Sequence, residues 1–192
     1  MGQTVKDIHQ YLIERSKLGD ASAQRELYRL YAKNMYNTAV RILSHSAEAE
    51  DVIQESFLEA FLKLNDYRAE SSFGAWMKRI VVNKCISVLR KRKIEFVDNT
   101  DLDILNNNTD EFNINIDEDS GLIELIKRGI NDLPEGYKIV LSLYLLEGFD
   151  HVEISEILKI SESTSKTQYL RAKNKLKEWL IKNNITSTYE NR

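Results

Sequence analysis

The chain has 192 residues, 42% of them hydrophobic and 30% charged, with one proline, seven glycines and one cysteine, which suffices to bury one or two small cores and excludes a disordered polymer. So few chain-breaking residues disfavour a β-sandwich or barrel, and abundant Leu, Ile, Glu and Lys make all-α the expected fold class. The net charge of −3 averages three unlike segments, with 16 Lys and Arg against 11 Asp and Glu in residues 1–93, nine acids and no base in 94–120, and 11 bases against 10 acids in 121–192.

The amino-terminal string MGQTVKDIHQYLIERSK has no apolar core of signal-peptide length, and no later stretch approaches the twenty apolar residues of a membrane span. A lone Cys85 cannot form an internal disulfide, and no His or Cys cluster has metal-ligand spacing. The expectation is a cytoplasmic protein without metal, cofactor or membrane contact. Asp20 stands where an N-cap opens the first long helix, whose stripe runs through Leu27, Leu30, Tyr31, Met35, Ala39, Ile42 and Leu43. Acids between Glu48 and Asp51 suit the first turn of the next helix, whose core stripe is Ile53, Phe57, Ala60, Phe61 and Leu64. A second stripe on that helix, Asp51, Glu55, Leu58 and Leu62, mixes acid with apolar side chains. It fits a protein partner, or a helix covered on two sides by its own domain.

Ser71 or Ser72 can cap the helix FGAWMKRIVVNKCISVLRKRK. Met77, Val81, Cys85 and Val88 form its apolar face, so Cys85 is a small core residue. The opposite face carries Arg79, Asn83 and Arg90, with Trp76 and Ser87 beside it, and seven bases and no acid lie between Trp76 and Lys93. Charge alone would equally describe a solvated helix end. Phe73 and Trp76 add surfaces on which unpaired bases can stack, while the bases hold the backbone.

Residues 94–120 carry many asparagines and no 3.6-residue apolar period, so they form an acidic flexible linker between two small helical domains. Such a linker is either a plain tether or an acidic strand for a basic channel of a partner. The second domain opens with Leu122, Leu125, Ile126 and Ile130 on one helix face, which ends before Pro134. The helix YKIVLSLYLLEGF follows, apolar nearly all round and therefore central. Next come a short helix to Leu158, a turn at Lys159–Ser161 and a long basic helix capped by Ser161: a helix-turn-helix. Ser165, Tyr169, Ala172 and Leu176 face inward, leaving Ser163, Thr167, Leu170 and Asn174 outward with Lys166 and Arg171 at the flanks. Basic flanks for phosphates and short polar side chains for base edges suit a major-groove helix. An ordinary three-helix bundle with a basic surface helix would share the pattern. His9, His45 and His151 are scattered and expected at the surface.

In this order the strings GDASAQRELYRLYAKNMYNTAVRIL, AEDVIQESFLEAFLKL, SSFGAWMKRIVVNKCISVLRKRK and DLPEGYKIVLSLYLLEGFDHVEISEILKISESTSKTQYLRAKNKL resemble the extracytoplasmic-function sigma factors of bacterial RNA polymerase. The resemblance implies a sigma-two-like domain in 1–93, the linker 94–120 and a sigma-four-like domain in 121–192. It further implies a non-enzymatic protein whose partners are core RNA polymerase and promoter DNA, which it recognises and opens. Residue by residue, Asp51, Gln54, Glu55 and Leu58 correspond to the patch that docks on the clamp helices of the polymerase's largest subunit. Ser72, Phe73, Trp76, Arg79 and Asn83, with Arg90 on the same basic helix, correspond to the minus-ten interface. Ser163, Lys166, Thr167, Leu170 and Arg171 correspond to the minus-thirty-five interface. The sequence leaves open whether an anti-sigma factor is a further partner. Ser87 replaces a frequent Asp, Lys159 a frequent turn glycine, and Ser165 with Gln168 a usual Val and Arg. Ser165 is expected to weaken the inward face of its helix, and Gln168 to remove a phosphate contact. The alternative reading is a helix-turn-helix regulator of duplex DNA that works without polymerase, and a third is a helical adaptor that binds only protein.

Overall fold

A computed structural model describes residues 9–92 and 120–183, with side chains from residue 123 onward in the second stretch. The acidic segment 94–119 and the expected core position Leu122 lie outside the described side chains. The described residues form eight α-helices and one short 3-10 turn, with no strand, and the chain divides into two compact units, Met1–Ile94 and Glu95–Arg192.

The first unit contains α1 (Gln10–Lys17), α2 (Ala21–Leu43), α3 (Ser46–Leu62), the 3-10 turn Leu64–Asp66 and α4 (Phe73–Lys91). Asp20 starts α2 by accepting from the backbone N–H of Ser22 at 2.8 Å and of Ala23 at 3.2 Å, and Arg15 at the end of α1 donates to the same carboxylate. Hydrogen bonds from Ser22 and then Arg15 hold the Asp20 carboxyl far below the usual range. The long α2 is the central element, packed against α1, α3 and α4, and it buries Leu27, Met35, Thr38, Ala39, Ile42 and Leu43. Leu30 departs from the expected stripe: it is 42% exposed, because one helical turn past Leu27 it falls at the edge of the buried arc. Val88 and Phe61 are likewise only half-buried, and Leu89 takes the core position instead. Helix α1 was not anticipated as an element; it contributes Ile13, fully buried, to the same core.

The second unit contains α5 (Ser120–Asn131), α6 (Glu135–Leu145), α7 (His151–Leu158) and α8 (Glu162–Lys182). Pro134 precedes α6, and α6 buries every residue from Lys138 to Leu143, consistent with a central element. Ile130, Leu133, Leu141, Ala172, Leu176 and Leu180 form one cluster of the core, with Leu125, Ile126, Tyr137, Tyr169 and Trp179 packed around it, and Ile139, Leu143, Ile154 and Leu158 are buried as well. Asp150 and Glu153 make a reciprocal capping box at the start of α7. The α7–α8 turn passes through Lys159 in the left-handed region, φ 55° and ψ 47°, and Ser161 Oγ accepts from the Thr164 N–H at 3.0 Å.

Candidate nucleic-acid interface

Helix α4 starts at Ser72, whose Oγ accepts from the Ala75 N–H at 3.3 Å. From that fixed start, the helical period places Trp76, Arg79 and Asn83 along one wall of a groove of about 540 Å³, with Ser87 and Lys91 further along it. Glu55 and Glu59 of α3 form the facing wall. Arg79 and Asn83 are exposed and Trp76 is half-exposed. Arg90 is half-buried and Lys91, not Arg90, lines the groove.

Phe73 does not take the stacking role expected of it. Its side chain is 0% exposed, so no base can stack on it. It lies edge-on to Tyr31 at 5.1 Å and to Tyr67 at 5.9 Å, and its ring centre is 5.7 Å from that of Trp76. Tyr67 also contacts Trp76 at 5.3 Å and donates its hydroxyl to the Ser71 carbonyl at 2.7 Å. Phe73 and Tyr67 therefore fix the indole from behind and leave its other side to the groove. Neither Tyr31 nor Tyr67 follows from the α4 period: Tyr31 comes from α2, distant in the sequence, and Tyr67 from the non-helical stretch just before α4.

On α3, Asp51, Gln54, Glu55 and Leu58 are all exposed. Leu58 is 63% exposed and Leu62 76%, so the second stripe is not covered by its own unit. Beside it, the Tyr28 ring of α2 packs at a tilt against Phe57, centres 4.7 Å apart, and borders, with Lys33, Tyr36 and Gln54, a hollow of about 410 Å³. This α2 contribution has little signature in the sequence beyond the aromatic pair Tyr28 and Tyr36.

Lys84, which the sequence reading also passed over, crosses the groove. Its Nζ lies 3.1 Å from Glu59 Oε2 and 3.4 Å from Glu55 Oε2, and Glu59 also accepts from Lys63 at 2.7 Å. Lys63 first and Lys84 second hold the Glu59 carboxyl below its usual range. Burial works to lower the Lys84 ammonium, but its bonds to Glu59 and Glu55 outweigh it and leave Lys84 raised.

In the second unit, Ser163, Lys166 and Leu170 are exposed on α8, and Thr167 and Arg171 are half-buried beside them. Thr167 Oγ1 donates to the Ser163 carbonyl at 2.9 Å, and Lys166 pairs with Glu162 at 2.6 Å. Two expectations change here. Ser165 is fully buried, but its hydroxyl lies 2.9 Å from His151 Nδ1, so it pins α8 to α7. Gln168 is buried too, so its position faces the interior of the unit, not a phosphate. His151 is accordingly not a free surface residue: its ring stacks on Tyr144 at 4.5 Å and meets Tyr169 edge-on at 5.6 Å. Burial first, and the Lys166 charge second, push the His151 imidazole below its ordinary value. His9 is similarly engaged, 2.7 Å from the Tyr31 hydroxyl, while His45 is an exposed N-cap that accepts from the Glu48 N–H.

Among the described residues no His, Cys, Asp and Glu cluster could hold a metal ion, and no helix is long and apolar enough to cross a membrane. Residues 27–94 match the family model for Sigma-70 region 2, and residues 123–176 match that for Sigma-70, region 4. The ECF RNA polymerase sigma factor SigW of Bacillus subtilis is 29% identical over 176 residues, covering 88% of this chain and 94% of that protein. The ECF RNA polymerase sigma-E factor of Haemophilus influenzae is 29% identical over 172 residues, 85% of this chain and 90% of that one. Among solved structures, CnrH in complex with the cytosolic domain of CnrY shares the fold, with a TM-score of 0.56 at 21% identity over 92% of this chain and 99% of that chain. RpoE in complex with the anti-sigma factor NepR from Bartonella quintana does so as well, with a TM-score of 0.56 at 24% identity over 82% and 96%. With the two sigma-70 regions falling in order on the two helical units that carry the basic faces, the chain belongs to the extracytoplasmic-function sigma factors of bacterial RNA polymerase.

Proposed function

We propose a division of labour among three helices of this sigma factor, which binds core RNA polymerase and directs it to promoters. Helix α3 docks on core through Asp51, Gln54, Glu55 and Leu58. Helix α4 takes the minus-ten element with Ser72, Trp76, Arg79 and Asn83 and holds it open. Helix α8 enters the major groove of the minus-thirty-five element with Ser163, Lys166, Thr167, Leu170 and Arg171. The observation that carries this reading is the indole of Trp76, fixed from behind by buried rings and set beside Arg79 and Asn83 on one groove wall. Stacking on such a ring stabilises an unpaired base by about 1–3 kcal/mol, which favours the melted strand over the duplex. A regulator of duplex DNA alone, the alternative left by the sequence, has no use for such a platform. On this reading the chain works in the cytoplasm, catalyses no reaction itself, and is open to control by an anti-sigma factor, as RpoE of Bartonella quintana is found with one.

The test is transcription in vitro from a genomic promoter library with purified core, together with retention of core by Glu55→Lys and Leu58→Ala. Discrete promoter-dependent transcripts, and loss of core from both folded variants, are expected. Transcripts that do not depend on the added chain would overturn the reading.

A further inference from the structure

We propose that Lys84 is a phosphate-binding residue whose availability is gated by polymerase docking, with Glu55 as the gate. The inference rests on the assignment of α3 to core and α4 to DNA. The two assigned surfaces meet at one groove: Glu55 of the docking patch lines it opposite Trp76, Arg79 and Asn83, and Lys84 joins the two walls. It follows Asn83 on α4, yet its ammonium is bound to Glu59 at 3.1 Å and to Glu55 at 3.4 Å across the groove. Glu59 is shared with Lys63 at 2.7 Å. In the free chain these four side chains form a local set of two acids and two bases, with no net positive charge to offer a DNA phosphate.

The two acids differ in accessibility. The Glu55 side chain is 70% exposed and Glu59 33%, and Glu55 belongs to the docking stripe with Asp51 and Leu58. A basic surface that takes Glu55 removes one of the two carboxylates that hold Lys84, while Lys63 continues to neutralise the other. The local balance then becomes positive by one charge, at a point in the groove already lined by Trp76, Arg79 and Asn83. The free chain thus holds back a backbone contact that the holoenzyme uses. Such an arrangement keeps unbound sigma from occupying DNA, and it ties melted-strand affinity to the presence of core.

The experiment measures binding of a fluorescent mixed-sequence single-stranded DNA 12-mer as a function of salt, for the free full-length chain and for holoenzyme, with core alone subtracted. Each phosphate contact on a single strand contributes a slope of about 0.7 in log affinity against log salt. Lys84→Met should lower the holoenzyme slope by about that amount and leave the slope of the free chain as it was. Glu59→Gln, which leaves the docking stripe intact, should raise the affinity of the free chain several-fold and narrow its difference from holoenzyme. An equal loss of slope in both states on Lys84→Met would overturn the gate, since Lys84 would then be open without core. An unchanged holoenzyme slope, with Arg79→Ala still weakening binding, would overturn the role of Lys84 and leave the α4 interface standing. If Arg79→Ala has no effect either, the α4 assignment falls together with the gate.

Discussion

Phe73 and Trp76 stand three positions apart at the head of α4 and differ in environment, which separates their expected phenotypes. Phe73 is wholly buried, so Phe73→Ala should cost about 3–5 kcal/mol of stability through lost burial and a residual cavity, readable as a lower urea midpoint. Trp76→Ala should cost much less stability and act on strand opening, because stacking requires bases that are already unpaired. Permanganate footprinting of the Trp76→Ala holoenzyme should show weak reactivity at the melted region with closed-complex affinity retained. The reverse result, normal melting with lost duplex affinity, would remove the platform role. His151 gives a pH-dependent expectation. Its folded pKa lies below the ordinary 6.5 because burial and Lys166 disfavour the imidazolium, against smaller opposing influences from Glu162 and Asp150. The unfolded chain therefore binds more protons just below that value, and ∂ΔG/∂pH is positive there. The contribution is complete above about pH 6.5 and is lost as pH falls through the lower folded pKa. Thermal melts from pH 7.5 to 5 should show a decline that His151→Gln flattens.

Helix ends were well marked in the sequence, because capping is local: Asp20, Ser72 and Ser161 each accept the expected N–H within two or three residues. The stripes of α3 and α8 followed from the 3.6-residue period for the same reason. What the period could not show was which side of an apolar or aromatic residue meets a distant element. Leu30 looked like core, Phe73 looked like a platform, and the pairing of Ser165 with His151 depends on a turn that brings α7 onto α8. Two backbone positions make the local and tertiary effects measurable. Lys159 sits in the left-handed region at φ 55°, where a side chain costs roughly 1–2 kcal/mol relative to glycine. Lys159→Gly should raise the melting temperature, by less than that figure implies, since glycine also widens the unfolded ensemble. Gly129 is the opposite case. Alanine ordinarily favours a helix over glycine by about 1 kcal/mol, but a Cβ here would meet Leu176 Cδ1 at 2.7 Å and Trp179 Cε3 at 2.9 Å. Trp179 cannot simply swing away, as its Nε1 donates to Asp132 at 2.9 Å. Overpacking at about 1–3 kcal/mol should exceed the propensity gain, so Gly129→Ala should lower the urea midpoint.

The charge of the chain is segregated along its length, and this bears on when it binds DNA. Residues 94–120 hold nine acids and no base, between segments carrying 16 and 11 bases. On its charge alone this segment is expected to compete with DNA for basic side chains of the same chain at low ionic strength, a competition screened once the Debye length falls to a few ångströms. Replacing the nine acids by their amides changes the net charge from −3 to +6. The free chain should then bind mixed-sequence duplex DNA about tenfold more tightly at 50 mM salt, with the gain gone near 1 M, where the Debye length is about 3 Å. Competition with DNA is the only consequence a passive tether would have. An acidic strand that lies in a basic channel of polymerase would have a second one, because the amides lose their attraction to that channel. Measured on the same variant, retention by core should fall while the folded units keep their melting temperature. Full retention by core, with tighter DNA binding in the free chain, would show that the segment acts on DNA affinity alone and makes no electrostatic contact with polymerase.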